Sequence, residues 1–149
     1  MGVGVFTHSE DSLDFMIPFD AYMSEEAMAE SWEGDPDLAR MEFENAVTEI
    51  LASLPDSFED VQDRRIWDGR HTRIIAENGF VRVGLTEWEC NDLFVSFIPR
   101  DDDERFDWGI NPLAYAARDS AHDKAARRLS RIWDLRVRTS GYTTAPLAA

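Results

Sequence analysis

Thr72-Arg73-Ile74-Ile75-Ala76-Glu77-Asn78-Gly79-Phe80-Val81-Arg82-Val83-Gly84-Leu85 is the stretch that decides the fold. On either side of Asn78-Gly79 the apolar residues recur at a period of two, the period of a strand with one buried face. Asn78-Gly79 is the strongest short-range hairpin signal, because both central residues of a type I′ turn need positive φ. Strands are predicted over Thr72–Glu77 and residues 80–85, and a third over Leu93–Pro99 after a turn at 87–92. The product is a three-stranded antiparallel meander. Val81, Val83 and Leu85 share one face, and Phe80, Arg82 and Gly84 the other.

Outward from the meander the period changes. Upstream, Asp35-Pro36 opens a long helix, with Asp35 as N-cap and Pro36 as first residue. Leu38, Phe43, Ala46, Val47, Ile50, Leu51 and Leu54 fall on one face at helical spacing, Glu42, Asn45 and Glu49 lie opposite, and Pro55 stops the helix. A shorter helix is predicted over residues 24–32, capped by Ser24 and ended by Gly34. Residues 1–23 alternate loosely and read as an edge strand or extended arm, with Pro18 arguing against a central strand. Residues 56–68 read as a polar loop. Downstream, Asn111-Pro112 starts a second long helix running to about Leu135, with a buried stripe of Leu113, Ala117, Ala121, Ala125, Leu129 and Ile132. Residues 136–144 have the composition of a last strand. The expected fold is a single α+β domain over 1–149, a small antiparallel sheet of a three-stranded meander plus a C-terminal strand, packed by two longer helices.

At 149 residues and 44% hydrophobic content the chain can bury a real core. The single Cys90 excludes an internal disulfide framework and a cysteine-based zinc site. The first 20 residues lack a basic n-region and carry Glu10, Asp11, Asp14 and Asp20, so no signal peptide is expected. No apolar run approaches the ~20 residues of a membrane span. A cytoplasmic protein is expected.

Charge is distributed unevenly. Residues 1–63 hold 17 carboxylates against the single basic Arg40, a net of −16. Residues 64–149 hold 13 acids and 14 bases, a net of +1, which together make the −15 of the chain. Such a block repels nucleic acid and anionic membranes and attracts basic surfaces, many of which are basic because they bind DNA or RNA. Glu26, Glu30 and Glu33 form a row at helical spacing, and Glu42 and Glu49 a sparser one. Carboxylates at i, i+4 lie about 5–6 Å apart, so helical rows of them approximate a phosphate array. Phe15, Phe19, Tyr22 and Trp32 are interleaved with the acids, and an exposed tryptophan ringed by carboxylates suits an arginine-rich partner.

Motifs for chemistry are sparse. His8, His71 and His122 are scattered and lack metal-ligand spacing, so no metal site and no cofactor are expected. Residues 101–104, Asp-Asp-Asp-Glu, lack the alternation and the later glutamate of a calcium loop. Cys90 has Glu87 and Glu89 beside it, which suppress a thiolate. Ser140 has no histidine close in sequence and no G-x-S-x-G elbow around it. The rival enzyme reading places a cleft between the sheet and the second helix, with Arg82, Arg136 and Arg138 holding an anionic ligand.

Arg138-Thr139-Ser140-Gly141-Tyr142-Thr143-Thr144, taken with residues 76–84, resembles the chain ends of small acidic proteins of bacterial phages and plasmids. The resemblance covers the C-terminal half. It implies a setting of mobile elements, where small acidic inhibitors of restriction and CRISPR systems occur. The expected function is a non-catalytic acidic inhibitor binding a basic nucleic-acid-handling complex in the bacterial host cell, an anti-CRISPR or anti-restriction protein acting partly as a DNA mimic. Direct binding to nucleic acid or membrane is not expected. Glu25, Glu26, Glu30, Glu33, Asp35, Asp37, Glu42, Glu44 and Glu49 supply its field, with Trp32 as anchor. Alternatives are an immunity protein or antitoxin neutralising a basic toxin, the small enzyme, and a phage accessory protein whose acidity serves solubility alone.

Overall fold

The computed structural model describes residues 12–61, 72–87, 91–100, 112–138 and 144–146. His8, His71, Cys90, Ser140 and residues 101–104 lie outside the described residues. In chain order the elements are β1 (Leu13–Ile17), α1 (Phe19–Tyr22), α2 (Glu25–Trp32), α3 (Asp37–Ala52), β2 (Glu59–Asp60), β3 (Thr72–Glu77), β4 (Val81–Glu87), β5 (Leu93–Pro99), α4 (Pro112–Leu129), β6 (Arg136–Arg138) and β7 (Thr144–Pro146). The fold is α+β: an antiparallel sheet packed by α3 and α4, the two longer helices. The described strands run in the order β2-β3-β4-β5-β1-β6-β7, each antiparallel to its neighbour.

The meander forms as β3, β4 and β5, with Val83 opposite Phe97 and Leu85 opposite Val95. Its first turn differs from the expected type I′. Among the described residues Gly34 and Asn91 take positive φ, and neither Asn78 nor Gly79 does. The turn is shifted one residue on. The Asn78 N–H donates to the Val81 carbonyl at 3.0 Å, leaving Gly79 and Phe80 at the tip. Asn78 Oδ1 accepts from the N–H groups of Phe80 and Val81, both at 2.8 Å, and so replaces the backbone acceptor a tight turn would use. β4 accordingly starts at Val81 rather than residue 80.

Residues 13–17 are an interior strand, not an arm. β1 pairs with β5 on one side and β6 on the other. Pro18 does not prevent this, because the strand ends at Ile17 and Pro18 caps α1 from outside the ladder. Residues 136–138 and 144–146 pair with each other as the last two strands, and Glu59–Asp60, expected in a loop, adds a short edge to β3.

One sheet face carries Phe15, Ile17, Val81, Val83, Leu93, Val95 and Phe97, all 1% exposed or less, and meets Ala46, Val47 and Ile50 of α3 and Ala121, Ala125, Ala126 and Leu129 of α4. Each fully buried large side chain contributes about 1.5–3 kcal/mol. The other face mixes buried polar residues, Thr72, Thr86, Ser96 and Asp14, with the buried Ile98. Thr72 and Thr86 share a 2.7 Å hydroxyl contact. Gly84 sits between them and Ser96, and a Cβ there would fall 2.7 Å from Thr72 Cγ2, which is why that position carries no side chain.

α4 ends at Leu129, six residues before the expected end, and its buried stripe includes Ala114 while Leu113 and Ile132 are exposed. The core selects the smaller alanines because α4 lies close on the strands. His122 packs edge-on against Phe15 and Phe97, at 5.6 and 5.5 Å between ring centres.

Candidate functional site

The acids of the sequence reading sit on a helical hairpin, α2 and α3, whose local construction follows from its caps. Ser24 Oγ accepts from the Ala27 N–H, and Glu25 and Glu26 occupy the favourable first turn of α2. At its end Gly34 takes φ +94°, its N–H donates to the Ser31 carbonyl and the Asp35 N–H to the Glu30 carbonyl. That paired pattern closes α2 and turns the chain. Asp35 Oδ1 accepts from the Asp37 N–H at 3.3 Å, while Pro36, expected as first helical residue, stands one position outside the helix. Glu42 reaches back to accept from both the Ser24 N–H (2.7 Å) and the Ser24 hydroxyl (2.8 Å). α3 is thereby stapled to the start of α2.

The ten candidate residues divide into groups. Glu26, Glu30 and Glu33 lie on one side of α2. Partial burial, then Glu26 and Asp35, then the Glu26 hydrogen bond and Glu33, hold the Glu30 carboxyl above its ordinary pKa. Glu25 and Trp32 lie on the other side of α2, and Trp32 is 94% exposed. On α3, at about 100° per residue, Glu42 and Glu49 flank one edge of the buried stripe, and Asp37 and Glu44 flank the other. The solvent crest between them is uncharged: Met41, Asn45, Thr48 and Ala52 are all exposed. The expected carboxylate face of α3 is therefore two separated flanks. Two of its members have structural duties, Glu42 at the Ser24 cap and Asp37 in a 2.9 Å ion pair with Arg40.

Beside the hairpin lies a cleft of about 380 Å³ between α1, α2, α3 and the end of β4, lined by Phe19, Tyr22, Met28, Trp32, Phe43, Arg40, Glu87 and neighbours. The Tyr22 hydroxyl donates to the Asn91 carbonyl at 2.6 Å, and the Phe19 N–H donates to Asp92 Oδ1 at 2.8 Å. Phe19 and Tyr22 meet edge-to-face at 5.8 Å. Burial, then Glu87 and Asp92, push the Tyr22 phenol above its ordinary pKa. Sequence reasoning singled out Phe19, Tyr22 and Trp32 among the acids. It did not join them to Glu87, which comes from a strand more than 50 residues away.

Two residues of the rival anion site stand apart in backbone register. Arg82 stands opposite Ile98 of β5, while Arg136 stands opposite Met16, itself opposite Phe94. Those positions are three strands apart across the sheet and four residues apart along β5, which separates the two backbones by roughly 20 Å. Among the described residues no group of three or more His, Cys, Asp or Glu side chains is placed to hold a metal ion, and no helix is long and apolar enough to cross a membrane. Comparison with family models, curated proteins and solved structures returns no match to this chain.

Proposed function

We propose that this protein is a non-catalytic acidic inhibitor that binds a basic nucleic-acid-handling complex. In this reading it is a phage- or plasmid-borne counter-defence protein, of anti-CRISPR or anti-restriction type, that acts partly as a DNA mimic. The observation that carries the reading is the position of Glu30 and Glu33. They lie at the C-terminal end of α2, where the helix dipole disfavours negative charge and where the last turn has no basic residue. Glu26 and Asp35 crowd Glu30 further. Solubility alone is served equally well by acids at helix N-termini. Two carboxylates of the row kept at the unfavourable end, about 5–6 Å apart, support a use in binding. Duplex DNA presents a charge about every 1.7 Å of its axis, so the row imitates part of a phosphate track.

The test is recovery of a partner from bacterial lysate at about 50 and 300 mM salt, across the range in which screening strengthens. A nucleic-acid-handling complex is expected at low salt, lost at high salt and displaced by duplex DNA. Reversing Glu25, Glu26, Glu33 and Glu49 to lysine, with Glu42 left to hold the Ser24 cap, is expected to weaken recovery by at least about tenfold. Unchanged recovery after reversal, or no such complex at low salt, rejects the reading.

A further inference from the structure

We infer that the cleft beside the α2–α3 hairpin takes an arginine side chain of the basic partner, its stem on Met28 and Phe43, its guanidinium stacked on Trp32 and paired with Glu87. The inference rests on the proposed function for the partner's class, but the cleft itself argues for the residue type.

Trp32 stands at the mouth, 94% exposed, with the largest apolar surface that α2 leaves in water. An indole so placed loses water only when something covers it, which is the setting of an interface anchor. The walls include aromatic and thioether side chains, Phe19, Tyr22, Met23, Met28 and Phe43, suited to an aliphatic stem. The charges are arranged for a cation. Arg40 reaches the cleft but is bonded to Asp37 at 2.9 Å. Glu87 is exposed, and its side chain makes no hydrogen bond or ion pair among the described residues. Asp92 lies behind the lining, bonded through Oδ1 to the Phe19 N–H. The two carboxylates that make the Tyr22 phenol harder to ionise set the negative potential a guanidinium would meet.

Chemistry separates arginine from the other occupants. A wholly apolar side chain would desolvate the Glu87 carboxylate without pairing it. An ammonium is compact and strongly hydrated, whereas the guanidinium is planar, weakly hydrated and stacks on indole. A second copy of this chain brings a net charge of −15. Its α4 arginines are engaged at home: Arg127 with Asp123 at 3.0 Å, and Arg128 with the carbonyls of Ala52 and Ser53.

The probes are a fluorescently labelled peptide of alternating glycine and arginine and its glycine–lysine counterpart, titrated into the full chain at physiological ionic strength. The arginine peptide is expected to bind about tenfold more tightly than the lysine peptide. Trp32→Ala and Glu87→Gln, both at exposed positions, are each expected to erase most of that preference. The paired change Glu26→Gln and Glu33→Gln is expected to weaken both peptides alike and leave the preference intact. Equal binding of the two peptides, no binding, or a preference untouched by Trp32→Ala overturns the inference. A nucleic-acid-handling complex whose recovery needs the four reversed carboxylates but ignores Trp32→Ala and Glu87→Gln overturns it while the proposed function stands. Arginine preference that depends on Trp32, with no such complex recovered, supports the cleft and rejects that function.

Discussion

α3 and α4 are of nearly equal length, 16 and 18 residues, and both pack against the same sheet face, but they are charged in opposite senses. α3 carries Asp37, Glu42, Glu44 and Glu49 against Arg40; α4 carries Arg118, Lys124, Arg127 and Arg128 against Asp119 and Asp123. The bases of α4 concentrate at its negative pole, where they stabilise it. α3 has no base in its last turn, and Arg128 of α4 reaches the Ala52 and Ser53 carbonyls in its place, at 3.5 and 3.4 Å. Packing differs as well. α4 approaches the strands through alanines, whereas α3 fills its interface with Val47 and Ile50 and keeps an uncharged outer crest. α4 is arranged for its own stability. On the α2–α3 hairpin, Glu42 and Asp37 serve the fold, whereas Glu30 and Glu33 stand at the end of α2 where its dipole disfavours them.

The sharpest way to break this comparison is to enlarge one alanine on each helix. Ala125→Leu on α4, at a position 0% exposed, is expected to cost about 1–3 kcal/mol by overpacking. Ala52→Leu at the exposed end of α3 is expected to stay within about 0.5 kcal/mol. Urea denaturation of both variants decides it, and equal losses would mean that α4 is not tightly seated.

A second effect appears as a slope with pH. Burial lowers the His122 pKa below 6.5, against the raising influence of the Asp14 carbonyl and of the charges of Asp14, Asp123 and Asp119. Below pH 6.5 the unfolded chain therefore binds this proton before the folded one does. The His122 contribution is complete above pH 6.5 and is lost as pH falls toward the lower folded value. Comparing wild-type and His122→Phe midpoints across that range isolates the slope, and an identical slope in both would rule His122 out as its source.

The smallest effect has the opposite sign. The raised Glu30 pKa means that the folded chain binds that proton more readily, so Glu30 costs stability once pH rises above the carboxylate range. Glu30→Gln is expected to raise the urea midpoint slightly at neutral pH and to leave it unchanged in acid. A lowered midpoint at neutral pH would mean that the row stabilises the hairpin, and the argument for a binding role would lose its support.

Much of the frame was legible because it depends on neighbours in sequence. The β3 and β5 spans follow from alternation, the α2 cap from Ser24, and its end from Gly34. Where the reading missed, a distant group decided. Asn78 was read for its φ, but its side chain closes the turn by hydrogen bonding. Residues 13–17 looked peripheral because Pro18 follows, yet β5 and β6 enclose them. Leu113 and Ile132 fit a helical stripe in sequence, but the face that α4 buries runs through Ala114, Ala121, Ala125, Ala126 and Leu129, and Ile132 lies past the helix end.

The candidate site shows the same division. The excess of acid in residues 1–63, its presence on two helices and the row at Glu26, Glu30 and Glu33 are properties of composition and helical period, so the sequence alone determined them. Only the tertiary structure decided that Glu42 serves the Ser24 cap, that the α3 acids split into two flanks, and that Trp32 and Glu87 border one cleft. Those outcomes depend on which face of each helix the core buries and on chain segments meeting across tens of residues. A periodic pattern carries no information about either until the strands have paired and the helices have docked.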